Sequence, residues 1–203
     1  MIESRFRKLQ NDELKRFSKA CIGKNVIEVG GTFSENNKRF FDLSRDYVIT
    51  NYYDKNCDQQ EDITNLSFKD ESVDALVCIS VMQHVYNYEQ ALNEICRVLK
   101  PGGIALITNG YLFPICMEFD YYRFTPMWWL ETLKNYPIQC EIKHLGNRYS
   151  TIENLLMRPY NRLGGLMGLM NKMLGLIFTV LGTLKQGKDD YPLGISIIIK
   201  KNT

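Results

Sequence analysis

Apolar runs of strand length alternate with segments of helical periodicity from Val26 onward. Strands that are buried on both faces are continuous apolar runs, as in a parallel sheet that helices cover on both sides. The pattern therefore predicts an α/β fold with a mostly parallel sheet. The first predicted strands span residues 26–29, 47–50, 59–61, 75–79 and 104–108.

Helical periodicity predicts helices over residues 35–43, 88–99 and 126–134. In the second of these, Glu94 and Arg97 lie one turn apart beside the apolar face, where they can pair. The turn Pro101-Gly102-Gly103 then ends the helix and reverses the chain into the next strand. Two last strands, over 138–145 and 195–200, are expected to pair in antiparallel fashion at the sheet edge.

Residues 155–184 are unusually apolar, with apolar positions at helical spacing and further apolar residues or glycine between them. Asn171 and Lys172 in the middle argue against a membrane span. We therefore predict a hydrophobic helical insertion over 155–185. Three interpretations stay open: a cap packed on the sheet edge, a helix lying on a membrane surface, and a homodimer contact through residues 163–184.

The composition limits the class of protein. At 203 residues the chain is expected to form a single domain over 1–203, which includes an N-terminal helix over 1–22. A net charge of +2 gives no support for nucleic-acid binding. The 6 cysteines contain no CxxC pair and are predicted to be reduced core thiols. Because the charged N-terminus is unlike a signal peptide, we expect a cytoplasmic protein, with a peripheral location at the inner membrane left open.

The first strand leads directly into a glycine pair, in the sequence NVIEVGG at residues 25–31. Glycine lets the backbone turn sharply and approach a ligand with no side chain between them. Ligands of open parallel sheets bind beyond the carboxyl ends of the strands, so the residues there are candidates for binding a nucleoside-bearing cofactor. These candidates are Glu28, Gly30, Gly31, Asn51, Asp62, Ile63 and Ser80.

Four motifs together resemble the class I S-adenosylmethionine-dependent methyltransferases, a broad family with many small bacterial enzymes. They are IEVGG at 27–31, EDITNLSFKDESVDALVCISVMQHV at 61–85, ALNEICRVLKPGGIALIT at 91–108 and FDYYRFTP at 119–126. The resemblance implies a Rossmann-like seven-stranded sheet with an antiparallel last strand. It also implies S-adenosyl-L-methionine as the cofactor and an aromatic-rich lid after the fifth strand.

The resemblance gives roles to the residues around the methionine portion of the cofactor. Glu28 would steady the loop and the cofactor amine. Gly30 and Gly31 would pass under the methionine portion, and Ser80 would lie near the sulfonium.

The nucleoside portion would be held by residues that follow the second and third strands. Asn51 would meet the ribose, Asp62 would accept a hydrogen bond from the adenine amino group, and Ile63 would pack on the ring. The chain departs from the family pattern at Thr32 and Ser34, which replace later glycines, and at Asn51, which replaces the usual acid.

Two alternatives to a methyltransferase follow from these departures and from the shared sheet. One is a catalytically degenerate methyltransferase fold that acts as a binding or scaffold module. The other is a nicotinamide-dependent oxidoreductase, against which the Pro101-Gly102-Gly103 turn and the Asp62-Ile63 pair argue.

Candidate catalytic residues lie after the fourth and fifth strands. His84 is a candidate general base because imidazole titrates near neutrality; the alternative is an orienting or packing role. Asp120, Tyr121 and Arg123 could bind a sugar or an anionic acceptor, or Asp120 and Arg123 could pair to fix a loop. No metal-ligand spacing is visible.

The sequence therefore predicts methyl transfer from S-adenosylmethionine to an oxygen or nitrogen of an acceptor. The predicted acceptor is a small molecule or a glycan, and the apolar insertion together with the family resemblance favours a cell-envelope sugar or a lipid-linked acceptor.

Overall fold

The computed structural model describes residues 4–35, 37–116, 118–160, 165–184 and 191–203. The strands in this part of the chain are β1 (Asn25–Val29), β2 (Asp46–Asn51), β3 (Gln59–Gln60), β4 (Val73–Ile79), β5 (Leu99–Gly110), β6 (Ile138–Leu145) and β7 (Gly194–Lys201). They form one sheet in the order β3-β2-β1-β4-β5-β7-β6. Strands β1 to β5 pair in parallel, and β7 lies antiparallel between β5 and β6. The predicted Rossmann-like sheet with its antiparallel last strand is confirmed.

The helices cover both faces of this sheet. They are α1 (Arg5–Ser18), α2 (Tyr88–Val98), α3 (Pro126–Leu133), α4 (Arg148–Tyr160) and α5 (Gly165–Leu184). Strand β4 is buried on both sides: Leu76 packs in the cluster with α2 and α3, whereas Val77 packs in the cluster with α1. This double burial explains why the strand is a continuous apolar run.

The helix predicted over residues 35–43 is wrong. The described residues there form two short 3-10 turns, Phe33–Glu35 and Asn37–Phe40. Asn37 is fully buried, and its side chain bonds to Glu28 and Arg7 instead of facing solvent. Asparagine side chains that bond elsewhere compete with regular helix, which explains the difference.

The helical insertion before the last strand consists of α4 and α5, which pack chiefly against each other. Asn147 donates from Nδ2 to the Gly182 carbonyl at 3.1 Å, and the rings of Tyr149 and Phe178 stack at 6.4 Å. Of the predicted 163–184 segment, residues 163 and 164 lie outside the described residues. The large apolar side chains that α5 leaves exposed are Leu169, Met170, Met173, Leu174, Leu176, Ile177, Val180, Leu181 and Leu184.

The cysteine prediction is partly wrong. All six are free thiols, and Cys21, Cys78 and Cys96 are buried. Cys140, however, is exposed because it lies on β6, the edge strand of the sheet. The predicted pair on α2 does form, with Arg97 Nη2 at 2.7 Å from Glu94 Oε2.

Candidate active site

A cavity of about 620 Å³ lies at the carboxyl ends of β1, β2 and β4. The sheet order reverses here, since β2 and β4 flank β1 on opposite sides, and such a switch point is the usual ligand site of open α/β sheets. The predicted site residues that line it are Gly30, Asn51, Asp62, Ile63, Ser80, His84 and Tyr121.

The glycine pair forms a tight loop at the base of the cavity. Both glycine N–H groups donate to the Thr50 carbonyl, at 2.8 and 3.0 Å. Gly30 has a φ of +76°, and a Cβ atom there would lie 2.3 Å from Val81 Cγ2. A Cβ on Gly31 would lie 2.4 Å from the carboxyl carbon of Glu28. Both positions therefore require glycine, on steric grounds that the sequence pattern alone does not contain.

Glu28 lies behind this loop and does not line the cavity. Its carboxylate is 1% exposed and accepts hydrogen bonds from Asn37 Nδ2 and the Tyr47 hydroxyl. Burial raises the pKa of Glu28, and these two bonds oppose that rise. Arg7 on α1 donates to Asn37 Oδ1 at 2.7 Å, so the N-terminal helix helps to hold the buried acid.

Asn51 explains one departure from the family pattern. Its Nδ2 donates to the Gly31 carbonyl at 2.9 Å, while its Oδ1 accepts from the N–H groups of Tyr53 and Asp54. A carboxylate has no donor for the Gly31 carbonyl, so the amide fits where the usual acid would not. The next carboxylate, Asp54, lines the same cavity.

Asp62 and Ile63 form a cavity wall beyond β3. Asp62 Oδ1 accepts from the Thr64 N–H at 2.8 Å and from the Thr64 hydroxyl at 2.7 Å. Ile63 is buried and packs in the core cluster beneath. The Oδ2 atom of Asp62 accepts no hydrogen bond from the described residues, which leaves it available to a ligand.

Ser80 adopts a left-handed conformation, with a φ of +56° at the end of β4. Such strain in a non-glycine residue is maintained only where its surroundings fix it. The Ser80 N–H donates to the Thr108 carbonyl at 2.8 Å, and its carbonyl accepts from Gln83 Nε2 at 3.0 Å. Gln10 Nε2 donates to the hydroxyls of Ser80 and Thr108, at 2.7 and 2.9 Å.

Sequence reasoning missed Gln10. It is buried on α1 in line with Phe6, Leu14 and Phe17, the apolar face of that helix. A polar residue within an apolar stripe is the signal that would have identified it, because a buried amide needs partners.

His84 lies between the fourth strand and the loop after β5. Its Nδ1 is bonded to the Phe119 carbonyl, which can only accept, so the proton of the neutral ring lies on Nδ1. Its Nε2 accepts from Gln83 Nε2 at 3.3 Å. The neutral ring therefore carries its basic lone pair on Nε2.

Asp120 and Arg123 do not line the cavity. Asp120 accepts from the Cys116 N–H at 2.7 Å and from both terminal nitrogens of Arg123. The Arg123 guanidinium also donates to the carbonyls of Phe113, Pro114 and Tyr122. Pairing with Arg123 lowers the pKa of Asp120. This placement agrees with the alternative interpretation, in which the pair fixes the loop.

Aromatic residues that the sequence analysis did not select surround the mouth of the cavity. Tyr53 and Phe119 stack in parallel with ring centroids 6.5 Å apart, and they join the loop after β2 to the loop after β5. Tyr86 contacts Tyr121 edge to face at 5.3 Å. Tyr53 and Tyr86 follow the candidates Asn51 and His84 by two residues each, a proximity that could have identified them.

Two features are absent from the described residues, a membrane-crossing helix and a metal site. None of the helices combines the length and hydropathy that a membrane crossing requires. No group of three His, Cys, Asp or Glu side chains in this part of the chain is arranged to hold a metal ion.

Residues 35–107 match the model of a family described as a methyltransferase domain. A probable S-adenosylmethionine-dependent methyltransferase of Mycolicibacterium smegmatis is 26% identical over 124 residues, which is 56% of this chain and 47% of that protein. The human thiol S-methyltransferase TMT1A is 42% identical over 53 residues, 26% of this chain and 21% of that protein. The chain thus spans about half or less of the length of these curated relatives.

The fold has close counterparts among solved structures. An S-adenosylmethionine-dependent methyltransferase from Archaeoglobus fulgidus superposes with a TM-score of 0.63 at 12% identity, covering 96% of this chain and 94% of that one. Residues 35–107 therefore match a methyltransferase domain family, and the whole fold is that of a class I S-adenosylmethionine-dependent methyltransferase. The prediction from the four motifs is confirmed, and S-adenosylmethionine is the cofactor of this class.

Proposed function

We propose that this protein transfers a methyl group from S-adenosylmethionine to a small-molecule acceptor bound in the cavity at the carboxyl ends of β1, β2 and β4. The observation that carries the proposal is that Gly30, Asp62 and Ser80 line the same cavity. The bare backbone of Gly30 and the unpartnered Oδ2 of Asp62 are features that the bound cofactor would use.

The cofactor-binding residues are those that the resemblance assigned. Asp62 would hold the adenine amino group and Ile63 the ring face, while Gly30 and Gly31 would leave room for the methionine portion. Ser80 would lie near the sulfonium, and the buried Glu28 charge would favour the cofactor amine through the loop. We add Asp54 as a ribose ligand beside Asn51, because the Asn51 amide is already bonded to the Gly31 carbonyl.

S-adenosylmethionine supplies an electrophilic methyl group on a sulfonium centre. The protein must then hold donor and acceptor close together and in line, which requires no obligatory catalytic side chain. Where the acceptor carries an acidic proton, His84 Nε2 would accept it in place of its hydrogen bond from Gln83 Nε2. The accepting atom would be oxygen or nitrogen, as the sequence predicts, or sulfur, on which the human relative acts by its name. The proposal also includes a glycan or a lipid-linked molecule as the acceptor.

Calorimetric titration with S-adenosylhomocysteine tests the cofactor site. We expect a dissociation constant on the order of 1–100 μM, in the usual range for enzyme ligands. Gly30→Ala should weaken binding roughly 10- to 100-fold, because the new Cβ would clash with Val81. Gly23→Ala is the matched control, since Gly23 has a similar φ of +70° with nothing within 4 Å of its Cβ position. Absence of binding by the intact chain would favour the scaffold alternative.

We also propose that the α4–α5 hairpin rests on an anionic membrane surface. On α5, Met173 and Leu176 are 62% and 67% exposed, within an apolar face that no described element covers. Residues 154–188 contain five Lys or Arg and no Asp or Glu. An apolar helix face in a segment with a net positive charge is the combination that binds anionic lipid.

Co-sedimentation with phosphatidylglycerol-containing vesicles tests this contact. Met173→Glu/Leu176→Glu should reduce binding roughly tenfold or more, because two charges enter the apolar face. The control Ile22→Glu/Leu43→Glu changes two exposed apolar residues elsewhere and should leave binding unchanged. The membrane proposal fails if neither variant binds the vesicles less than the wild type does. It also fails if light scattering instead finds a dimer that the α5 variant dissociates.

A further inference from the structure

The two ends of the cavity differ in charge. The carboxylates of Asp54, Glu61 and Asp62 all lie at the end that would hold the nucleoside. The opposite end, where the acceptor would bind, has neutral lining residues: His84, Val85, Tyr86, Asn87, Phe119 and Tyr121. Among the described residues that line the cavity, none is Lys or Arg.

A cation that could reach this end from the neighbouring loop is already paired. Arg123 follows the cavity-lining Tyr121 by two residues, but its guanidinium is held by Asp120 and by the carbonyls of Phe113, Pro114 and Tyr122. A phosphate or carboxylate at the acceptor end would therefore lose water without gaining a cationic side chain of the described residues as a partner, which is unfavourable.

The surface at this end is aromatic and open. Tyr86 is 73% exposed, and Phe119 and Tyr121 are each more than 40% exposed. Phe119 and Tyr121 contact each other at 6.4 Å, and Tyr86 meets Tyr121 at 5.3 Å. Exposed aromatic rings grouped at one end of a cavity indicate a ligand surface rather than core packing. Such rings bind flat apolar molecules by stacking or edge-to-face contact.

Resting on the proposed function, we infer that the acceptor is an uncharged, flat molecule whose methylated atom is a hydroxyl oxygen or a thiol sulfur. The acceptor atom forms a bond to the methyl carbon, the sulfonium–methyl bond breaks with its electron pair going to the cofactor sulfur, and the acceptor proton passes to His84 Nε2. The tautomer fixed by the Phe119 carbonyl leaves the lone pair on that nitrogen, which would take the proton in place of its hydrogen bond from Gln83 Nε2.

Three probes of similar size test the inference: 2-naphthol, 2-naphthalenethiol and 6-hydroxy-2-naphthoate. We expect kcat/KM, measured by S-adenosylhomocysteine release, to be at least roughly tenfold higher for a neutral probe than for the carboxylate. Tyr86→Arg should reverse this preference, because it places a cation at the acceptor end, whereas Tyr86→Phe should keep it. Equal or higher kcat/KM for 6-hydroxy-2-naphthoate with the wild type would overturn the inference.

Binding measurements separate this inference from the proposed function. Calorimetry with S-adenosylhomocysteine comes first, and each probe is then titrated into the binary complex. If S-adenosylhomocysteine binds but neither neutral probe binds or reacts, the acceptor inference is wrong and the cofactor site stands. If S-adenosylhomocysteine does not bind, the proposed function fails and the acceptor inference fails with it.

Discussion

The two walls of the cavity are built in different ways. The cofactor wall comprises the residues that end β1, β2 and β4, and the lid loop comprises residues 111–125. On the cofactor wall, the N–H groups of Gly30 and Ser80 bond to carbonyls of the neighbouring strands β2 and β5. The lid loop has no helix or strand among its described residues. It is held by the Asp120–Arg123 pair, by bonds to the Gln83 carbonyl and by His84.

This difference means that main-chain bonds to neighbouring strands contribute most to one wall, whereas the lid loop relies on side chains in addition to its two N–H bonds to the Gln83 carbonyl. Sheet hydrogen bonds form with almost any sequence of strand residues, so the cofactor wall depends on a few special positions such as Gly30. The lid loop has no ladder of sheet hydrogen bonds, so it depends on the side chains that bond in its place. We therefore expect single substitutions to disturb the lid more than the wall.

Arg123→Ala should have the largest effect. It leaves the Asp120 carboxylate, whose side chain is 2% exposed, without its cation. We expect the free energy of unfolding, measured by urea denaturation, to fall by about 3 kcal/mol, the usual loss when one partner of a buried ion pair is removed. Lys134→Ala removes an i,i+3 pair whose side chains are 66% and 60% exposed, and it should change stability by about 0.5 kcal/mol or less.

A second substitution identifies the cause of the Arg123→Ala effect. Asp120→Asn in the Arg123→Ala background removes the uncompensated charge and should restore part of the lost stability. Equal losses for Arg123→Ala and Lys134→Ala would contradict the view that this buried pair fixes the lid loop.

Gln10→Ala tests the cofactor wall and should have an intermediate effect. It removes two hydrogen bonds and leaves the buried Thr108 hydroxyl and the partly buried Ser80 hydroxyl without this donor, with an expected loss of about 1–3 kcal/mol in unfolding free energy. Affinity for S-adenosylhomocysteine should fall about threefold to tenfold, because Ser80 is no longer held in its left-handed conformation.

Ser80→Gly is the control for this prediction. Glycine adopts the left-handed conformation without strain and needs no bond from Gln10. In the Gln10→Ala background it should recover affinity, and if it does not, Gln10 acts on cofactor binding by another route.

Glu28→Gln should have the smallest effect on stability, with a characteristic pH dependence. Burial raises the folded-state pKa of Glu28 above its ordinary value of 4.5, so the folded state loses stability as the carboxylate ionises above that pH. The variant should therefore gain stability relative to the wild type as pH rises from below 4.5 to neutrality. It should also bind S-adenosylhomocysteine more weakly at neutral pH. A stability difference that does not change with pH would contradict the assignment of this buried charge.

The same difference between the walls explains what could be predicted from the sequence. Strand positions follow from apolar runs, since each run is buried on both faces of a parallel sheet. The residues after each strand, such as Asp62, could be named because strand ends converge at one edge. These inferences need only local pattern and topology.

Side-chain partners across the fold could not be predicted in this way. Nothing in the local sequence around Asn37 indicates that it reaches Glu28 and Arg7, so a helix was predicted where 3-10 turns form. The contacts of Asn51 with Gly31, and of Gln10 with Ser80, likewise join residues far apart in the chain. Apolar spacing predicted the α5 helix, but the sequence alone did not indicate how much of its apolar face stays exposed.

A crystal structure of the complex with S-adenosylhomocysteine tests the central claim most directly, because it locates the ligand against every assigned residue. The account predicts the adenine amino nitrogen within about 3.5 Å of Asp62 Oδ2, the methionine portion over Gly30, and the sulfur between Ser80 and the aromatic end of the cavity. Ligand bound elsewhere, or an adenine ring outside the wall formed by Asp62 and Ile63, would contradict it.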